Sequence, residues 1–395
     1  MNSSDKANKK GLFAINPIIL LLGLVSLFTD LSSNMIVPIL PLYLATVLHV
    51  QVGSIGIIEG IAESTASILK LFSGWITDRL GKYKLLMLIG YGLSNLTKPL
   101  FAISGSWSQV LVIRFSDRIG KGIRTSPRDA LLADSTTMEE RGKAFGFRRA
   151  MDALGAALGP LVAFGILAIY AGNYRLVFWL SVIPGVLAII LIIFFLKEKD
   201  REENVIKASL PKIGFKNQNR RFIWFSIIFT LFTVGNFSDA FLALRANDVG
   251  MTPAFIPLTF FALNMSSSIF SMPIGMLSDR IGRRPVLISG LLIFAVIYLG
   301  FGIVKSVPWI WVLFVLYGFY FAFTEGIQKA YIADIVPEGQ RGTAMGTFNA
   351  MTGLAALPAS IMAGYLWQTF GPMAAFSTSS VIAVVAALLM MILRI

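Results

Sequence analysis

The sequence predicts an all-α integral membrane protein. Of its 395 residues, 56% are hydrophobic and only 14% are charged, and its mean hydropathy is +0.74. Soluble domains carry a larger charged share, about 25%. Apolar runs of about 20 residues, the length that crosses a hydrocarbon layer as a helix, recur along the whole chain. We therefore expect the lipid bilayer to be the environment of most of the protein.

Twelve apolar segments are predicted to span the membrane. They cover residues 17–47, 52–77, 84–105, 108–133, 142–171, 174–196, 221–246, 252–278, 285–304, 308–335, 342–369 and 373–394. Lys and Arg are concentrated in alternate connections and in both terminal segments, whereas the other connections hold only Arg175, Arg245 and Lys305. Because Lys and Arg stay in the cytoplasm, this bias predicts a multi-pass protein of the inner (cytoplasmic) membrane with both termini cytoplasmic.

The net charge of +13 is accounted for by this topology and by attraction to anionic lipid headgroups, so no nucleic-acid partner is expected. The chain has no cysteine, which excludes disulfides, thiolate metal sites and thiol nucleophiles. The single histidine, His49, is expected in a solvated turn between the first two spans. One histidine in a turn supports neither a metal site nor a Ser-His-Asp set, so no enzymatic activity is predicted.

The chain divides into two related halves. Residues 197–220 form the one long polar segment, which predicts a cytoplasmic linker between six-helix bundles at 1–196 and 221–395. Residues 128–158 align without a gap with residues 328–358, so that Asp134 matches Asp334 and Arg141 matches Arg341. An internal duplication of six-helix units is typical of secondary transporters, whose substrate site lies between the halves.

A second repeat lies in the loops that follow spans two and eight. These read GWITDRLGKYK at 74–84 and GMLSDRIGRRP at 275–285. In such a turn glycine permits close helix approach and aspartate can cap a neighbouring helix. The chain here resembles the major facilitator superfamily, whose signature is G-x-x-x-D-R-x-G-[RK]-[RK]; Tyr83 interrupts the basic pair in the first copy. The resemblance implies twelve transmembrane helices in two pseudo-symmetric six-helix bundles. It also implies gating roles for Gly74, Asp78, Arg79, Gly275, Asp279 and Arg280.

The fifth span resembles the antiporter motif of that superfamily, G-x8-G-x3-G-P-x2-G. The matching residues are Gly146, Gly155, Gly159 and Pro160. Ala163 replaces the last glycine, and the eleventh span has Ala355 and Ala359 where the fifth has glycines. The resemblance places the chain in the drug and metabolite:proton antiporter branch. The structural alternative is a seam of small residues that lets two helices pack closely.

The fourth span carries seven charges. Spaced at 100° per residue, they fall within an arc of about 140°. They are Arg114, Asp117, Arg118, Lys121, Arg124, Arg128 and Asp129. A charge facing lipid costs roughly 2.5 to 3.5 kcal/mol at the bilayer centre, so this face is expected to line the interior of the bundle.

Polar residues of other spans lie at comparable depth and suggest a central network. The predicted substrate ligands are Arg114, Arg118, Lys121, Asn34, Asp239 and Glu325. The predicted proton carriers are Asp30 and Glu63, followed by Glu59. The structural alternative is a set of neutralised ion pairs, which the i+4 spacing favours for Asp117 with Lys121, Arg148 with Asp152, and Glu325 with Lys329.

We expect a monomeric, proton-coupled secondary transporter that works by alternating access and exports a small organic compound, anionic or zwitterionic, in exchange for protons. The chain has no G-x-x-x-x-G-K-[ST] loop, so the proton gradient is the expected energy source and no cofactor is predicted. One alternative is an uptake symporter for an organic anion or metal chelate. Another is a membrane sensor or scaffold that does not transport.

Overall fold

The computed structural model describes residues 16–137, 140–196, 214–215, 218–337 and 340–393, except for the side chain of Asp78. The predicted linker therefore lies almost entirely outside the described residues, as do the basic N-terminal segment and the last two residues. The domain boundaries drawn from that linker stay a prediction.

Twelve helical spans, numbered here helix 1 to helix 12, cover nearly all of the described chain. They are Pro17–Val47, Val52–Leu80, Tyr83–Ile103, Trp107–Asp134, Arg141–Ile169, Tyr174–Phe195, Arg220–Asp248, Pro253–Ile281, Arg283–Ile303, Val307–Ile335, Arg341–Phe370 and Pro372–Ile392. The described residues contain no β-strand. The predicted all-α class and the number of spans are confirmed, and the predicted ends differ from these bounds by at most three residues.

Eleven of these twelve helices are long and apolar enough to cross a membrane. Helix 4, Trp107–Asp134, is the exception among the described residues, because its charges lower its hydropathy. It nevertheless runs as one helix of 28 residues beside helices 2 and 3. Hydropathy by itself would therefore have missed the span that carries the most charge.

The two halves pack together through two equivalent helix pairs. Helix 2 lies along helix 11, and helix 5 lies along helix 8, which are the pairs that exchange when the halves are swapped. On helix 2, a Cβ atom added at Gly56 would lie 2.3 Å from the carbonyl oxygen of Ser360. Such backbone contact is possible only where small residues meet. The pairing gives the two bundles their pseudo-twofold relation.

Helices 1 and 7 occupy equivalent positions in the halves, and both are discontinuous. Helix 1 leaves the α-helical path after Ile36, at a turn that contains Pro38, and ends in a π-helical turn, Tyr43–Val47. Helix 7 is interrupted between Gly235 and Ala240. Interrupted spans in corresponding positions of two repeats mark the binding region in transporters of this architecture.

The bundle has two ends, which we name by the chain termini. The terminal face holds the ends of helices 1 and 12 nearest the termini, and the far face holds the turn between helices 1 and 2, where His49 is exposed with φ of 51°. At the far face, Gln368 accepts a hydrogen bond from the Gly53 backbone at 3.1 Å and donates one to Gln51 at 2.9 Å. The two halves are thus joined at the far face.

Candidate functional site

A central cavity of about 390 Å³ lies between the halves. Its lining includes ten charged side chains. These are Asp30, Glu59, Glu63, Lys98, Arg114, Asp117, Arg118, Lys121, Arg124 and Asp239. Five are acidic and five are basic, so the formal charge of the lining is balanced. The +3 charge of residues 114–129 does not make the cavity as a whole strongly positive, because other helices supply the carboxylates.

Glycines hold the charged face of helix 4 in place. Added Cβ atoms at Gly90 and Gly120 would lie within 2.8 Å of the facing backbone, so helices 3 and 4 touch along their main chains. Gly122 lies equally close to Leu69 of helix 2. This contact on two sides turns Arg118 toward the cavity, with only 6% of its surface exposed. The predicted interior position of the charged face is confirmed.

Two ion pairs connect helix 4 to helix 2, and the first of them is buried. Arg114 lies 3.0 Å from Glu59, with side chains 7% and 4% exposed. Arg118 lies 2.9 Å from Glu63, whose side chain is 41% exposed. A buried charge needs such a partner, because its desolvation cost is otherwise several kcal/mol. Both arginines and both glutamates of the predicted site are therefore engaged with one another.

The predicted pair of Asp117 with Lys121 is wrong. Asp117 lies 3.9 Å from Arg114 and accepts a hydrogen bond of 2.7 Å from Ser94. Tertiary contacts with helix 3 turn this carboxylate away from the helical position where an i+4 partner would meet it. Lys121 lines the cavity and makes no ion pair with any residue that the structure describes.

Asp30 projects into the same cavity from helix 1. Its side chain forms no hydrogen bond or ion pair within the described part of the chain. Its backbone carbonyl accepts a hydrogen bond of 2.8 Å from the side chain of Asn34, which also lines the cavity. Among the three predicted proton carriers, Asp30 is thus the one whose carboxylate has no basic partner.

The half of the cavity wall contributed by helices 7 and 10 is mainly neutral. Tyr317 donates a hydrogen bond of 2.9 Å to Asp239, which lies in the interruption of helix 7. The next residue back, Ser238, donates one of 3.3 Å to Glu59 across the interface between the halves. Phe237 and Phe321 complete this wall. The predicted ligand Asp239 is therefore placed opposite the charged face of helix 4.

Four charged residues form a separate cluster toward the terminal face. Arg148 lies 3.2 Å from Asp152 and 3.5 Å from Asp129, and Arg128 lies 3.0 Å from Asp129. The predicted pair of Arg148 with Asp152 is confirmed. Arg128 and Asp129 are absent from the lining of the central cavity, so the charged face of helix 4 serves two different environments.

Glu325 does not reach the central cavity. It lines a second cavity of about 320 Å³ toward the terminal face, and lies 3.0 Å from Arg149 of the other half. The predicted pair with Lys329 is wrong, because a residue from helix 5 supplies the cation. Phe321 lines both cavities and lies between them.

The two repeated loops lie at the terminal face, and their glycines are not packing contacts. A Cβ atom at Gly275 would meet nothing within 4 Å, and one at Gly74 would meet only Ser126 at 3.8 Å. The expectation of close helix approach at these two positions is wrong. The gating roles implied for Gly74, Gly275 and Arg280 stay predictions.

The charged residues of these loops make local contacts. Asp279 lies 2.5 Å from Arg283, which also approaches Asp334 at 3.4 Å, and helix 9 has no side-chain cap. Asp279 is therefore an ion-pair partner and does not cap that helix. Arg79 lies over the ring of Trp75 at 5.3 Å. The side chain of Asp78, the remaining predicted gate residue, lies outside the described part of the structure.

The glycines of the antiporter motif divide into two kinds. Added Cβ atoms at Gly155 and Gly159 would lie 2.5 and 2.6 Å from backbone oxygens of helix 1. One at Gly146 would meet nothing within 4 Å. Helix 5 continues through Pro160 to Ile169. The seam of small residues is therefore present, and it presses helix 5 against the turn of helix 1 that bears Asp30.

Sequence reasoning missed Lys98 and Tyr317. Lys98 lies in an otherwise apolar stretch of helix 3, which is in itself a sequence signal because intramembrane charges are costly. Tyr317 gave no comparable signal, since tyrosines are common in the spans of this chain. The interruptions of helices 1 and 7 also had sequence signals. These were Pro38 in helix 1 and the pair Gly235 and Asn236 in helix 7, two helices that occupy corresponding positions in the halves.

A sequence profile of the Major Facilitator Superfamily matches residues 22–246 and 223–395. The chain is 35% identical, over 99% of its length and 96% of the relative's, to an uncharacterized MFS-type transporter of Methanocaldococcus jannaschii.

Two further similarities are more distant. The chain is 24% identical to the cis,cis-muconate transport protein of Acinetobacter baylyi, over 78% of this chain and 77% of that protein. Its fold is similar to the crystal structure of a mutant of the nucleoside transporter NupG, with a TM-score of 0.79 at 14% identity, covering 95% of this chain and 99% of that one. The latter likeness concerns the fold alone.

Proposed function

Because the chain belongs to the major facilitator superfamily of secondary transporters, we propose that it moves a small organic zwitterion or anion with coupling to protons, a zwitterion in exchange for them. The observation that carries the proposal is one cavity in which Asp30, whose carboxylate has no partner among the described residues, lies among cations that also lack a carboxylate partner there. A carboxylate without a partner can either hold a proton or, once ionised, interact with a neighbouring cation. The carboxylate of an ion pair is instead kept ionised by its partner.

The coupling follows from competition for the same cations. With Asp30 ionised, its charge is compensated by the surrounding bases. Proton uptake at Asp30 removes that compensation and favours binding of an organic anion, so a purely anionic substrate is carried together with the proton. A zwitterion exchanges with the proton instead, because its cationic group competes with the proton for the Asp30 carboxylate. Binding of the anion and occupancy of the proton site are then linked in free energy, which is the requirement for coupled transport. Glu59 and Glu63 fit this role less well because each already faces an arginine.

The size and the lining of the cavity limit the substrate. A volume of about 390 Å³ lies at the lower end of small-molecule sites, which span about 300 to 1,000 Å³. The balanced lining suits a molecule with one charged group and an apolar or aromatic remainder, or a zwitterion. The relative named as a cis,cis-muconate transport protein supports an organic acid as the class.

Export is favoured by the motif of helix 5, and the topology that places the terminal face in the cytoplasm follows from the distribution of Lys and Arg. In that orientation the hydrogen bond between Gln51 and Gln368 joins the two halves on the outer side. We propose this as the state that receives a substrate from the cytoplasm, in a protein of the inner membrane.

Uptake by proton symport is the second candidate, and one observation favours keeping it. Gly155 and Gly159 are required by packing against helix 1, so their presence does not by itself depend on the direction of transport. Symport and antiport share the cavity and the coupling carboxylate. They differ in the sign of the flux that a proton gradient drives.

The experiment uses the purified full-length protein in liposomes with an imposed pH gradient. A panel of radiolabelled aromatic and unsaturated carboxylates and amino acids is screened in both gradient directions, together with counterflow at equal pH. Antiport predicts accumulation on the side with more protons, and symport predicts accumulation on the side with fewer. Gradient-insensitive flux of every transported compound would refute proton coupling, and the absence of any flux would favour a sensor or scaffold.

A further inference from the structure

Two buried cations of the central cavity keep N–H donors beyond those that the described residues engage. They are Lys98 of helix 3 and Arg124 of helix 4, which are 2% and 6% exposed. Both line the cavity. Neither makes an ion pair with a carboxylate in the described ranges. A buried cation in this condition is costly unless an anion is bound beside it.

The position of Lys98 is fixed by a relay of two hydrogen bonds. Its ammonium group donates to the hydroxyl of Ser32 at 2.5 Å, and that hydroxyl donates in turn to the carbonyl of Ser181. Because Ser32 uses its only proton on Ser181, it presents a lone pair to Lys98. An ammonium group has three N–H donors, and this relay uses one of them, which leaves two for a ligand.

Arg124 lies over an aromatic ring. Its guanidinium carbon lies 4.6 Å from the centre of the ring of Tyr91, an arrangement that stabilises the cation without using its N–H donors. Its Nη1 atom is buried and has no hydrogen-bond partner in the part of the chain that the structure describes. The Cβ atom of Arg124 packs against Gly90, so the helix 3 backbone fixes where the side chain begins.

The acidic groups near these cations do not compensate both of them. The charged groups that interact electrostatically with Lys98 are the carboxylates of Asp117 and Asp30 and the guanidinium of Arg124. Asp117 is shared with Arg114 at 3.9 Å and accepts from Ser94. In the half of the lining that comes from helices 1 to 4, five bases face four acids, which leaves one positive charge. That excess matches a single carboxylate better than a dianionic phosphate.

The wall opposite offers aromatic surface. Tyr317 and Phe321 lie with ring centres 5.0 Å apart, and both line the cavity together with Phe237. Planar rings at this distance make a surface on which an unsaturated or aromatic group can stack. The cavity therefore pairs a cationic end with an aromatic end.

We propose that Lys98 and Arg124 form the subsite for one carboxylate group of the transported molecule, whose aromatic or unsaturated body packs against Tyr317 and Phe321. The proposal rests on the proposed function and narrows its substrate to aromatic or unsaturated monocarboxylates. Lys98 supplies up to two hydrogen bonds and Arg124 supplies one or more from Nη1, so the two cations hold the group from different helices.

The test is equilibrium binding to the purified full-length protein in detergent, measured by titration calorimetry. The probes are benzoate, its neutral analogue benzamide, and phenyl phosphate. The variants are Lys98→Met, which keeps most of the apolar stem, Arg124→Met, and the control Lys305→Met in the exposed turn between helices 9 and 10. Size-exclusion profiles and thermal unfolding establish that each variant is folded.

Benzoate affinity is expected to fall about tenfold or more in Lys98→Met and in Arg124→Met, the loss typical of a charge-assisted hydrogen bond. Benzamide affinity should change far less, and Lys305→Met should bind both probes like the wild type. If Lys98→Met does not fold, Ser32→Ala takes its place. It removes the hydrogen bond that positions the ammonium group and should therefore lower the affinity for benzoate selectively. Arg124→Lys should bind benzoate more tightly than Arg124→Met.

Four results overturn the subsite. They are no benzoate binding to the wild type, unchanged benzoate affinity in both methionine variants, an equal loss for benzamide, and tighter binding of phenyl phosphate than of benzoate. Because calorimetry needs no pH gradient, the two hypotheses fail separately. Intact benzoate selectivity with gradient-insensitive flux refutes proton coupling alone, and gradient-driven flux of compounds without a carboxylate refutes the subsite alone.

Discussion

The two walls of the central cavity are built from the same six-helix unit but differ in chemistry. The wall from helices 1 to 4 carries nine charged side chains, whereas the wall from helices 7, 10 and 11 carries one, Asp239. The first is held by ion pairs such as Arg114 with Glu59. The second is held by aromatic contacts, including the ring of Tyr317 stacked on that of Tyr320 at 5.4 Å.

A duplicated fold can in this way assign different functions to its two halves. Ion pairs in a low-dielectric interior respond strongly to the gain or loss of one proton, so the first wall suits coupling and charge recognition. Aromatic packing is insensitive to protonation and keeps its shape, so the second wall suits contact with an apolar body. Four predictions test this division, beginning with the largest effect.

Replacing Asp30 with Asn should reduce proton-driven flux to the level of protein-free liposomes. The substitution removes the one predicted proton carrier whose carboxylate has no basic partner among the described residues. Counterflow at equal pH should persist, since it needs no net proton movement. Asp239→Asn is the matched change in the other wall and should keep a measurable proton-driven flux. If both variants lose coupling equally, the division between the walls is not functional.

Replacing Glu59 with Gln should lower the free energy of unfolding by about 3 to 5 kcal/mol, because Arg114 is then left buried with only the more distant Asp117. In the other wall, Tyr317→Phe should cost only about 1 kcal/mol, the value of one hydrogen bond. Denaturant unfolding in detergent measures both.

The double variant Glu59→Gln, Arg114→Gln serves as the check on that interpretation. Removing both charges should recover much of the stability that Glu59→Gln loses. A double variant as unstable as the single one would mean that Glu59 stabilises the fold by something other than its ion pair.

Replacing Gly155 with Ala should cost about 1 to 3 kcal/mol, typical of overpacking, because its methyl group meets the Leu27 carbonyl and the Leu31 amide. The control is Gly146→Ala in the same motif, which has open space around it and should be neutral or slightly stabilising. Thermal unfolding with and without benzoate compares the two. Equal effects at both positions would show that the seam is not what holds helix 1.

Replacing Arg149 with Gln should change stability by less than about 1 kcal/mol, because its pair with Glu325 is more than half exposed and such pairs are weak. Any effect should appear instead in the rate of transport, since the pair joins the two halves near the terminal face. Stopped-flow transport measurements beside an unfolding curve separate these outcomes, and a large loss of stability would contradict the exposed environment.

The sequence predicted most of the fold because the membrane imposes a strong rule: nearly every span is a long apolar helix, and the duplication is visible in aligned residues. Of the three local ion pairs predicted on one helix face, Arg148 with Asp152 formed. Sequence reasoning failed for Asp117 and Glu325, whose partners are set by other contacts. It also failed for Lys98, whose depth is clear from sequence but whose neighbours are not.

The all-α architecture, the number of spans and the inward direction of the charged face of helix 4 could be predicted from sequence, since hydrophobicity and helical periodicity are properties of one segment. The pairing of the charges could not, because it depends on how the helices pack. Glu59, Glu63 and Asp30 look alike in sequence, yet two of them meet an arginine and the third does not. That distinction depends on how helices 1, 2 and 4 pack, because electrostatic pairing depends on distances of a few ångströms between side chains far apart in the chain.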